Sequence, residues 1–267
     1  MVRLSTSWLL WAAYMMRTSA AVENSQKPLS AGSDIANDEC LPSQYKIHIF
    51  SKSPVMIYIE NFISDAERQH LQDLARGHFK HSGVTDSDGK SALNAVRTSQ
   101  STTVQRDQLV RCIERRALSF QGLDIPESHL EPIQLVKYAP TERFHFHTDW
   151  FTDPARATAA EGGNRESSFF AYVHVDNVKG GGTNFPLLDI PGDSIWCDGF
   201  LDCDEEYESG VTFRPIAGNA IFWSNMLEDG TGDQRTLHAG LPLISGQKIG
   251  MNIWTRQAPL SPEIRGE

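Results

Sequence analysis

Apolar positions follow a helical period in the first half of the chain. Leu71, Leu74 and Ala75 recur at helical spacing, which predicts an amphipathic helix with one buried stripe. Ser64 and Glu67 stand three residues apart just before this stripe, and that spacing is typical of a capping box. The pattern therefore predicts a helix that begins near Ser64 and ends at the next glycine.

A second helix is predicted from about Arg106 to Phe120. Its apolar stripe consists of Val110, Ile113, Ala117 and Phe120. These positions are spaced like the core-facing positions of a helix, and Gly122 follows where helices commonly end. We interpret the stripe as core packing and not as a cofactor site.

From residue 131 onward, short apolar runs alternate with Gly and Pro turns. β-Strands are predicted at Val55–Ile59, Ile133–Tyr138, Phe144–Trp150, Ser168–Val175, Val211–Phe213, Ala220–Trp223 and Lys248–Trp254. Helices followed by many short strands predict an α+β, mainly β fold, an antiparallel sandwich or barrel with helices packed on one side. Residues 82–95 are rich in Gly, Ser and Asp, which predicts a mobile loop.

The composition narrows the classes of function. The chain has 267 residues, a formal net charge of −10 and a pI of about 5.4. An acidic chain argues against nucleic acid or an anionic membrane as its main partner. Many acidic residues lie between Asp198 and Glu208, where a solvated loop is the simplest interpretation.

The first 45 residues differ from the rest. Arg3 precedes a short apolar run, Trp8–Met16, and small residues follow at 19–21. This order is typical of a secretory signal peptide, with a short uncleaved anchor or a plain buried helix as alternatives. We therefore expect a leader at 1–21, a polar linker at 22–45 and a folded domain at 46–260, with membrane contact only through an uncleaved anchor.

The chain has four cysteines, whose redox state depends on the cellular compartment: Cys40, Cys112, Cys197 and Cys203. Entry into the secretory pathway would permit disulfides, and Cys197 and Cys203 flank a short acidic turn that a disulfide could close. Cys112 lies in the second helical pattern, so we interpret it as a buried free thiol. Because no C-x-x-C occurs, a zinc ribbon and a thioredoxin-type motif are both excluded.

The stretch Phe144–Phe151 carries the most specific chemistry, the H-x-D pair His147 and Asp149. On a strand, positions i and i+2 share a face, so both side chains would point into one space, with Phe146 and Trp150 opposite. This pair supplies two-thirds of a 2-His-1-carboxylate triad, which holds non-haem Fe(II). The best candidate for the second histidine is His238, although His145 leaves the ligand set open.

The order of motifs after His147 is more specific than the pair alone. Gly181–Pro186 and Gly218–Trp223 follow the pair, then His238, and Lys248 stands ten residues later. Tyr138 lies nine residues before His147. This arrangement resembles the Fe(II)- and 2-oxoglutarate-dependent dioxygenases of the prolyl 4-hydroxylase catalytic (alpha) subunit type, and within them the secreted fungal proteins. The resemblance covers about residues 46 to 257.

The resemblance implies a double-stranded β-helix, or jelly roll, that carries an iron site. It implies that His147, Asp149 and His238 are the catalytic metal ligands. Lys248 would pair with the distal carboxylate of 2-oxoglutarate, because a buried carboxylate needs a cation to offset its desolvation. Tyr138 and Thr183 would offer hydroxyls to the same cosubstrate.

The resemblance also implies which residues contact the substrate. Arg97 and Ser99 match an R-x-S segment beside the peptide groove, and the loop before them matches a lid over the substrate. Expected cofactors are Fe(II), 2-oxoglutarate and O2, with ascorbate as a reductant. The expected reaction hydroxylates an unactivated C–H, in a prolyl residue of a peptide or protein, and releases succinate and CO2. The expected location is the endoplasmic reticulum lumen or the exterior of the cell.

Two positions depart from the family pattern. Phe144 stands where many members have Tyr, and Glu142 stands in a turn where Gly is usual. No separate peptide-binding domain is visible, so collagen-type substrates are less expected.

Several alternatives stay open at this point. The same chemistry could act on a small natural product or a free amino acid, or the chain could be a non-catalytic jelly-roll binding protein. A zinc hydrolase would not explain Lys248. Taken singly, Lys248 and Arg97 could be exposed charges, and Tyr138 and Thr183 could be core and turn residues.

Overall fold

The computed structural model describes residues 40, 44–82, 84–85, 91–92, 98–122, 124–192, 195–204 and 209–267. One compact unit extends from Glu39 to Glu267. The predicted leader and most of the predicted linker lie outside the described residues, and so does Arg97. Among the described helices, none has both the length and the apolar character that a membrane span requires.

The secondary structure is dominated by strands. The described strands are β1 Lys46–Lys52, β2 Val55–Glu60, β3 Lys80–His81, β4 Val84–Thr85, β5 Ser91–Ala92, β6 Gln100–Thr103, β7 Gln134–Tyr138, β8 Phe144–His147, β9 Arg165–Gly180, β10 Thr183–Phe185, β11 Val211–Phe213, β12 Ala220–Ser224, β13 His238–Gly240 and β14 Leu243–Arg256. The described α-helices are α1 Asp65–Ala75, α2 Gln108–Phe120 and α3 Pro262–Arg265.

Two antiparallel sheets make up the body of the described unit. The large sheet has the strand order β1-β2-β12-β9-β14-β7-β6-β3, and the small sheet has the order β11-β10-β13-β8. β9 and β14 are central to the large sheet and pair along nearly their whole length. Two facing antiparallel sheets with these crossovers form a jelly roll, as predicted.

The two faces of β9 explain why its sequence is almost continuously apolar. Phe169, Ala171 and Val173 point to one side and join a core cluster that includes Leu71 of α1 and Ile113 of α2. The predicted helices therefore pack together on one side of the large sheet. A strand covered on both faces loses the polar–apolar alternation of a half-exposed strand.

The opposite face of β9 meets the small sheet. Phe170 and Tyr172 belong to a second cluster, rich in aromatic side chains, that also contains Phe185 and Phe213 of the small sheet. Each large side chain buried here contributes roughly 1.5–3 kcal/mol of transfer free energy. This cluster holds the two sheets together beside the candidate site.

The helix predictions are confirmed, with small changes at the ends. The Ser64 side chain accepts a hydrogen bond from the Glu67 backbone N–H, and the Glu67 carboxylate accepts one from the Ser64 backbone N–H. The predicted capping box is therefore present. α2 begins two residues later than predicted, because the Asp107 side chain caps it by accepting from the Val110 backbone. Gly122 follows α2 with a φ of +68°, a conformation that glycine adopts readily.

The strand predictions are correct in place but not in length. β9 and β14 extend beyond the predicted runs into polar residues, because each continues to pair with the other. The strand predicted at Phe144–Trp150 stops at His147, which pairs with His238, the first residue of β13. The pattern missed β1 and several strands of two to four residues, which are too short to show a period.

The predicted loop at 82–95 contains a short hairpin. Val84–Thr85 pairs with Ser91–Ala92 in antiparallel fashion, so four residues of the predicted loop form short strands, and its mobility stays a prediction. Residues 86–90 and 93–97 lie outside the described part of the chain, and the lid remains a prediction.

Both cysteine pairs form disulfides. The Cys197–Cys203 bridge agrees with the proximity predicted across the acidic turn. The prediction of a free thiol at Cys112 is wrong, because Cys112 is bonded to Cys40 in the stretch interpreted as a linker. The acidic turn is also not simply solvated, since Phe200 and Leu201 are buried.

Candidate active site

Two of the predicted ligands lie side by side in the small sheet. His147 ends β8 and His238 begins β13, and the two residues face each other across the antiparallel pair. Asp149 follows β8 by two residues, and its Oδ1 lies 3.9 Å from the Nε2 of each histidine. These three side chains are the one group among the described residues whose ligand atoms could hold a metal ion.

Backbone carbonyls fix the orientation of both imidazoles. Nδ1 of His147 donates to the His145 carbonyl at 2.8 Å, and Nδ1 of His238 donates to the Thr236 carbonyl at 2.9 Å. A histidine that donates through Nδ1 keeps the Nε2 lone pair for a metal. Both Nε2 atoms therefore point toward Asp149 in the form that a metal requires.

A chain of hydrogen bonds holds the Asp149 carboxylate. Ser168 donates its hydroxyl to Oδ2 of Asp149 at 2.6 Å. Asn225 donates to the Ser168 oxygen at 2.9 Å and accepts from the Trp223 indole at 2.8 Å. Oδ2 is thus engaged by the protein, and Oδ1 remains directed at the histidines.

The electrostatics of Asp149 suit a cation site. Burial acts to raise the pKa of Asp149, but His238, His147 and other neighbours outweigh it and hold the pKa below its ordinary value. The carboxylate is therefore ionised at neutral pH. Two imidazoles and one carboxylate form the donor set of a facial triad, so these residues fit Fe(II).

Aromatic rings pack against both imidazoles. Phe144 stacks on His147 with ring centroids 3.6 Å apart, and Phe185 stacks on His238 at 5.4 Å. Phe144 stands where the resembling family often has Tyr, so here the contact is ring stacking and not a hydroxyl hydrogen bond. His145 is exposed and does not belong to the metal-binding group.

A cavity of about 510 Å³ opens beside the triad. Its lining includes the three triad residues together with Tyr138 and Thr183. Trp150 also lines it, which contradicts the prediction that Trp150 lies on the opposite face. The strand ends at His147, so the alternation of faces is lost before residue 150.

Lys248 is fully buried behind this cavity. Its ammonium donates to the Gly181 carbonyl and lies 4.5 Å from the Tyr138 ring centroid. Burial lowers the pKa of Lys248 to about 7. The alternative of an exposed lysine is excluded. Lys248 itself does not line the cavity, but Tyr138, against which its ammonium packs, does.

Comparison with known proteins agrees with this geometry. The 2OG-Fe(II) oxygenase superfamily matches residues 133–256. Prolyl 4-hydroxylase 1 of Arabidopsis thaliana is 32% identical over 221 residues, which is 81% of this chain and 74% of that protein. The chain belongs to the prolyl 4-hydroxylase-like 2OG-Fe(II) oxygenases. Probable prolyl 4-hydroxylase 4 of the same plant is 30% identical over 240 residues, 88% of this chain and 76% of that protein.

A solved structure supports the fold of this family member. The 2OG complex of a viral collagen prolyl hydroxylase from Paramecium Bursaria Chlorella virus-1 superimposes with a TM-score of 0.53. It covers 75% of this chain and 95% of the viral chain at 21% identity. As a member of the family, the protein is a dioxygenase that depends on Fe(II), 2-oxoglutarate and O2.

The predicted cosubstrate residues lie close together in this oxygenase. Lys248 pairs with Tyr138 across β14 and β7, and Tyr172 forms a 2.8 Å hydrogen bond with Thr183. Burial raises the pKa of the Tyr172 phenol, which therefore stays neutral. Sequence reasoning missed Tyr172, because it lies within a strand whose apolar neighbours conceal it.

The predicted substrate residues are less well placed. Ser99 is fully buried and does not line the cavity, and its carbonyl accepts from the Ser82 backbone. The structure therefore does not bring Ser99 to the site of this oxygenase. Its role and that of Arg97, which is not described, remain predictions.

A buried charge network that the sequence did not reveal forms one wall of the cavity. Arg165 donates to both carboxylate oxygens of Glu131, at 2.8 and 2.7 Å, and its guanidinium lies 3.6 Å from the Trp254 ring centroid. Burial acts to raise the pKa of Glu131, but Arg165 and Arg256 together keep it below the ordinary value. These residues are far apart in sequence, and no local motif marks them.

Proposed function

We propose that this oxygenase hydroxylates a prolyl residue of a peptide or protein, consumes 2-oxoglutarate and releases succinate and CO2. One observation carries the proposal. Nε2 of His147, Nε2 of His238 and Oδ1 of Asp149 converge within 4.8 Å beside a cavity. The substrate class is supported by the relatives, whose names describe prolyl 4-hydroxylases.

In this proposal His147, Asp149 and His238 hold the iron. Bound Fe(II) supplies the activation of O2 that oxidation of an unactivated C–H requires. The protein orients the ligands: the two backbone carbonyls fix the imidazoles, and Ser168 restrains one oxygen of Asp149. A preformed donor set reduces the entropy lost when the metal binds.

Lys248, Tyr138 and Thr183 bind 2-oxoglutarate in this proposal. The Lys248 ammonium now donates to a backbone carbonyl, and a carboxylate would be a stronger acceptor for it. Tyr138 and Thr183 line the cavity in front of the ammonium. Their hydroxyls can donate to carboxylate oxygens that enter from the cavity.

The proposed setting is the secretory pathway, with ascorbate as the reductant. Two disulfides occur in the described residues, and disulfides persist in oxidising compartments. The endoplasmic reticulum lumen is therefore the first compartment to examine, by microscopy of the full chain fused at its C-terminus to a fluorescent protein.

The decisive experiment compares two histidines that are two residues apart. His147→Ala removes a proposed ligand, whereas His145→Ala removes an exposed ring and keeps the carbonyl that orients His147. We expect His147→Ala to lose metal binding and to lower succinate formation at least 1,000-fold, on the order of a missing catalytic group. His145→Ala should remain within about threefold of the wild type.

The substrate class is tested in the same assay. Proline-containing peptides, free proline and small hydroxylatable compounds are each incubated with the wild type and analysed for a product that has gained one oxygen atom. A product from peptides alone supports the proposal. Hydroxylation of the small compounds alone would replace the substrate class, and unchanged succinate formation by His147→Ala would overturn the metal assignment.

A further inference from the structure

Phe151 is surrounded by three guanidinium groups at the edge of the cavity. The guanidinium carbons of Arg156, Arg165 and Arg256 lie 4.5, 5.0 and 4.8 Å from the centre of its ring. The face of an aromatic ring attracts cations. Three of them around one ring also repel each other, so the arrangement needs an anion.

Glu131 is the carboxylate that pairs with this group among the described residues. It binds Arg165 through both of its oxygens and Arg256 through one, at 3.0 Å. The remaining donors of Arg256 go to backbone carbonyls, including that of Gly163. Glu131 therefore pairs with two of the three arginines, and it forms no ion pair with Arg156.

Arg156 itself is exposed and lines the cavity. No carboxylate forms an ion pair with its guanidinium among the residues that the structure describes. Asp153 is nearby, but its carboxylate accepts from the Ala155 backbone and caps the turn Pro154–Ala157. The Asp153 carboxylate thus stabilises the turn and forms no ion pair with Arg156.

The backbone around Arg156 is held in place on both sides. Its N–H donates to the Asp153 carbonyl at 3.1 Å, and its own carbonyl accepts from Arg256 at 3.4 Å. Together with the stacking on Phe151, these contacts hold a cation in the cavity lining before any ligand arrives. A preorganised guanidinium loses little freedom when it binds a planar anion.

We propose that Arg156 binds a carboxylate of the substrate at a point beyond the reacting carbon, so that the enzyme prefers acidic peptides. This inference rests on the proposed function. The guanidinium fork matches a carboxylate in shape and charge. The protein as a whole has a net charge of −10, so an acidic peptide would gain no long-range attraction and would depend on a local positive group such as Arg156.

Two sources of the carboxylate are possible within this chemistry. It can be the side chain of an acidic residue that flanks the target proline, or the terminal carboxylate of a chain that ends close to the proline. Peptides with blocked ends contain only the first source. A neutral peptide with a free C-terminal carboxylate next to the proline contains only the second.

The experiment measures substrate preference in the full chain. Blocked peptides with Glu or Gln at each of three positions on either side of proline are compared by kcat/KM. We expect the best Glu position to exceed its Gln partner about tenfold, a typical size for one charge-assisted contact. Arg156→Gln should reduce this ratio to about one, and Arg156→Lys should retain part of it.

Arg76→Gln is the matched control. Arg76 is an exposed arginine at the end of α1 whose guanidinium pairs with Asp73, and the cavity lining does not include it. This variant should keep the full Glu preference. It should also hydroxylate the Gln peptide at a rate close to the wild-type rate, because Arg76 does not line the cavity.

Binding is measured separately from turnover. Fluorescence anisotropy of the labelled Glu and Gln peptides is recorded with Mn(II) and 2-oxoglutarate present, a mixture chosen to prevent hydroxylation. Tighter binding of the Glu peptide to the wild type, lost in Arg156→Gln, supports the inference even if no peptide is hydroxylated, and in that case only the proposed function fails. If only the neutral peptide with a free C-terminus binds more tightly, and this advantage is lost in Arg156→Gln, the bound group is the terminal carboxylate.

Two results would overturn the inference. One is equal binding and equal kcat/KM for every Glu and Gln pair, with no advantage for a free C-terminus. The other is a preference that persists in Arg156→Gln, which would assign the anion site to another residue. An increase in salt should reduce a true preference, because ions screen exposed charge pairs.

Discussion

A buried ammonium is costly unless an anion accompanies it. The Lys248 ammonium donates to the Gly181 carbonyl and lies against the Tyr138 ring. Among the described residues, no carboxylate forms an ion pair with it. Burial lowers its pKa to about 7, so much of the population is neutral at physiological pH. Such a side chain is suited to a ligand that brings its own negative charge.

The low pKa of Lys248 predicts that the protein takes up a proton when 2-oxoglutarate binds. At pH 8, above the pKa of about 7, Lys248 is mostly neutral in the ligand-free protein. A bound carboxylate favours the charged form and raises the pKa, so 2-oxoglutarate binding should take up close to one proton. Affinity should fall by up to about tenfold per pH unit between pH 8 and 9. Calorimetry at pH 8, in buffers of different ionisation enthalpy, measures the uptake.

Lys248→Arg provides the control for this titration. Arginine stays protonated throughout the range, so its proton uptake should vanish while some affinity remains. Equal uptake by the wild type and Lys248→Arg would assign the proton to another group.

Local rules predicted the residues that lie close together in sequence. His147 and Asp149 could be paired because strand geometry relates positions i and i+2, and the capping box at Ser64 is equally local. The hydrogen bond from Ser168 to Asp149 spans 19 residues and depends on how two sheets meet. Sequence periodicity contains no information about such a contact, so the partners of Asp149 could not be predicted.

At the scale of elements, the pairing between strands, and not the propensity of their residues, determines where the shortest strands form. β10 and β13 have three residues each, too few for any period, yet together they present Thr183 and His238 to the cavity. Conversely, the apolar pattern of α2 was correct but misled the assignment of Cys112. Its partner Cys40 stands 72 residues away, and disulfide partners at that distance cannot be deduced from one sequence.

The two disulfides allow a prediction for these elements. The Cys40–Cys112 bridge closes a loop of 72 residues, and the Cys197–Cys203 bridge closes one of six. In the chain-entropy relation, these loops correspond to about 4 and about 2 kcal/mol of stabilisation. Replacing Cys40 and Cys112 by serines should lower the free energy of unfolding more than replacing Cys197 and Cys203 does. Denaturant titration of each variant measures both changes.

One result of the denaturant titrations would contradict this prediction. If loss of the shorter bridge destabilises the protein as much as loss of the longer one, unfolded-chain entropy is not the main effect. The packing of Cys203 against the cluster that contains Trp196 and Phe200 would then account for the larger effect of the shorter bridge. Activity of the folded fraction should be unchanged in both variants, since the cavity lining includes none of the four cysteines.

At the scale of the whole molecule, the site lies where the two sheets meet. His147 and His238 belong to the small sheet, and Asp149 is hydrogen-bonded to Ser168 in β9 of the large sheet. Ser168 is in turn bonded to Asn225, just after β12. A metal held by the triad therefore connects both layers of the jelly roll.

Metal binding should stabilise the entire unit and not only the small sheet. A divalent ion at about 100 times its dissociation constant adds about 2.7 kcal/mol, which corresponds to a rise in Tm of about 5–10 °C for a domain of this size. Mn(II) at pH 7.5 should produce this rise, a chelator should reverse it, and His147→Ala should show none. Hydrogen exchange should slow in β9 and β12 as well as in β8 and β13, because Ser168 connects Asp149 to the large sheet. Protection confined to β8 and β13 would show that the hydrogen-bond chain does not couple the layers.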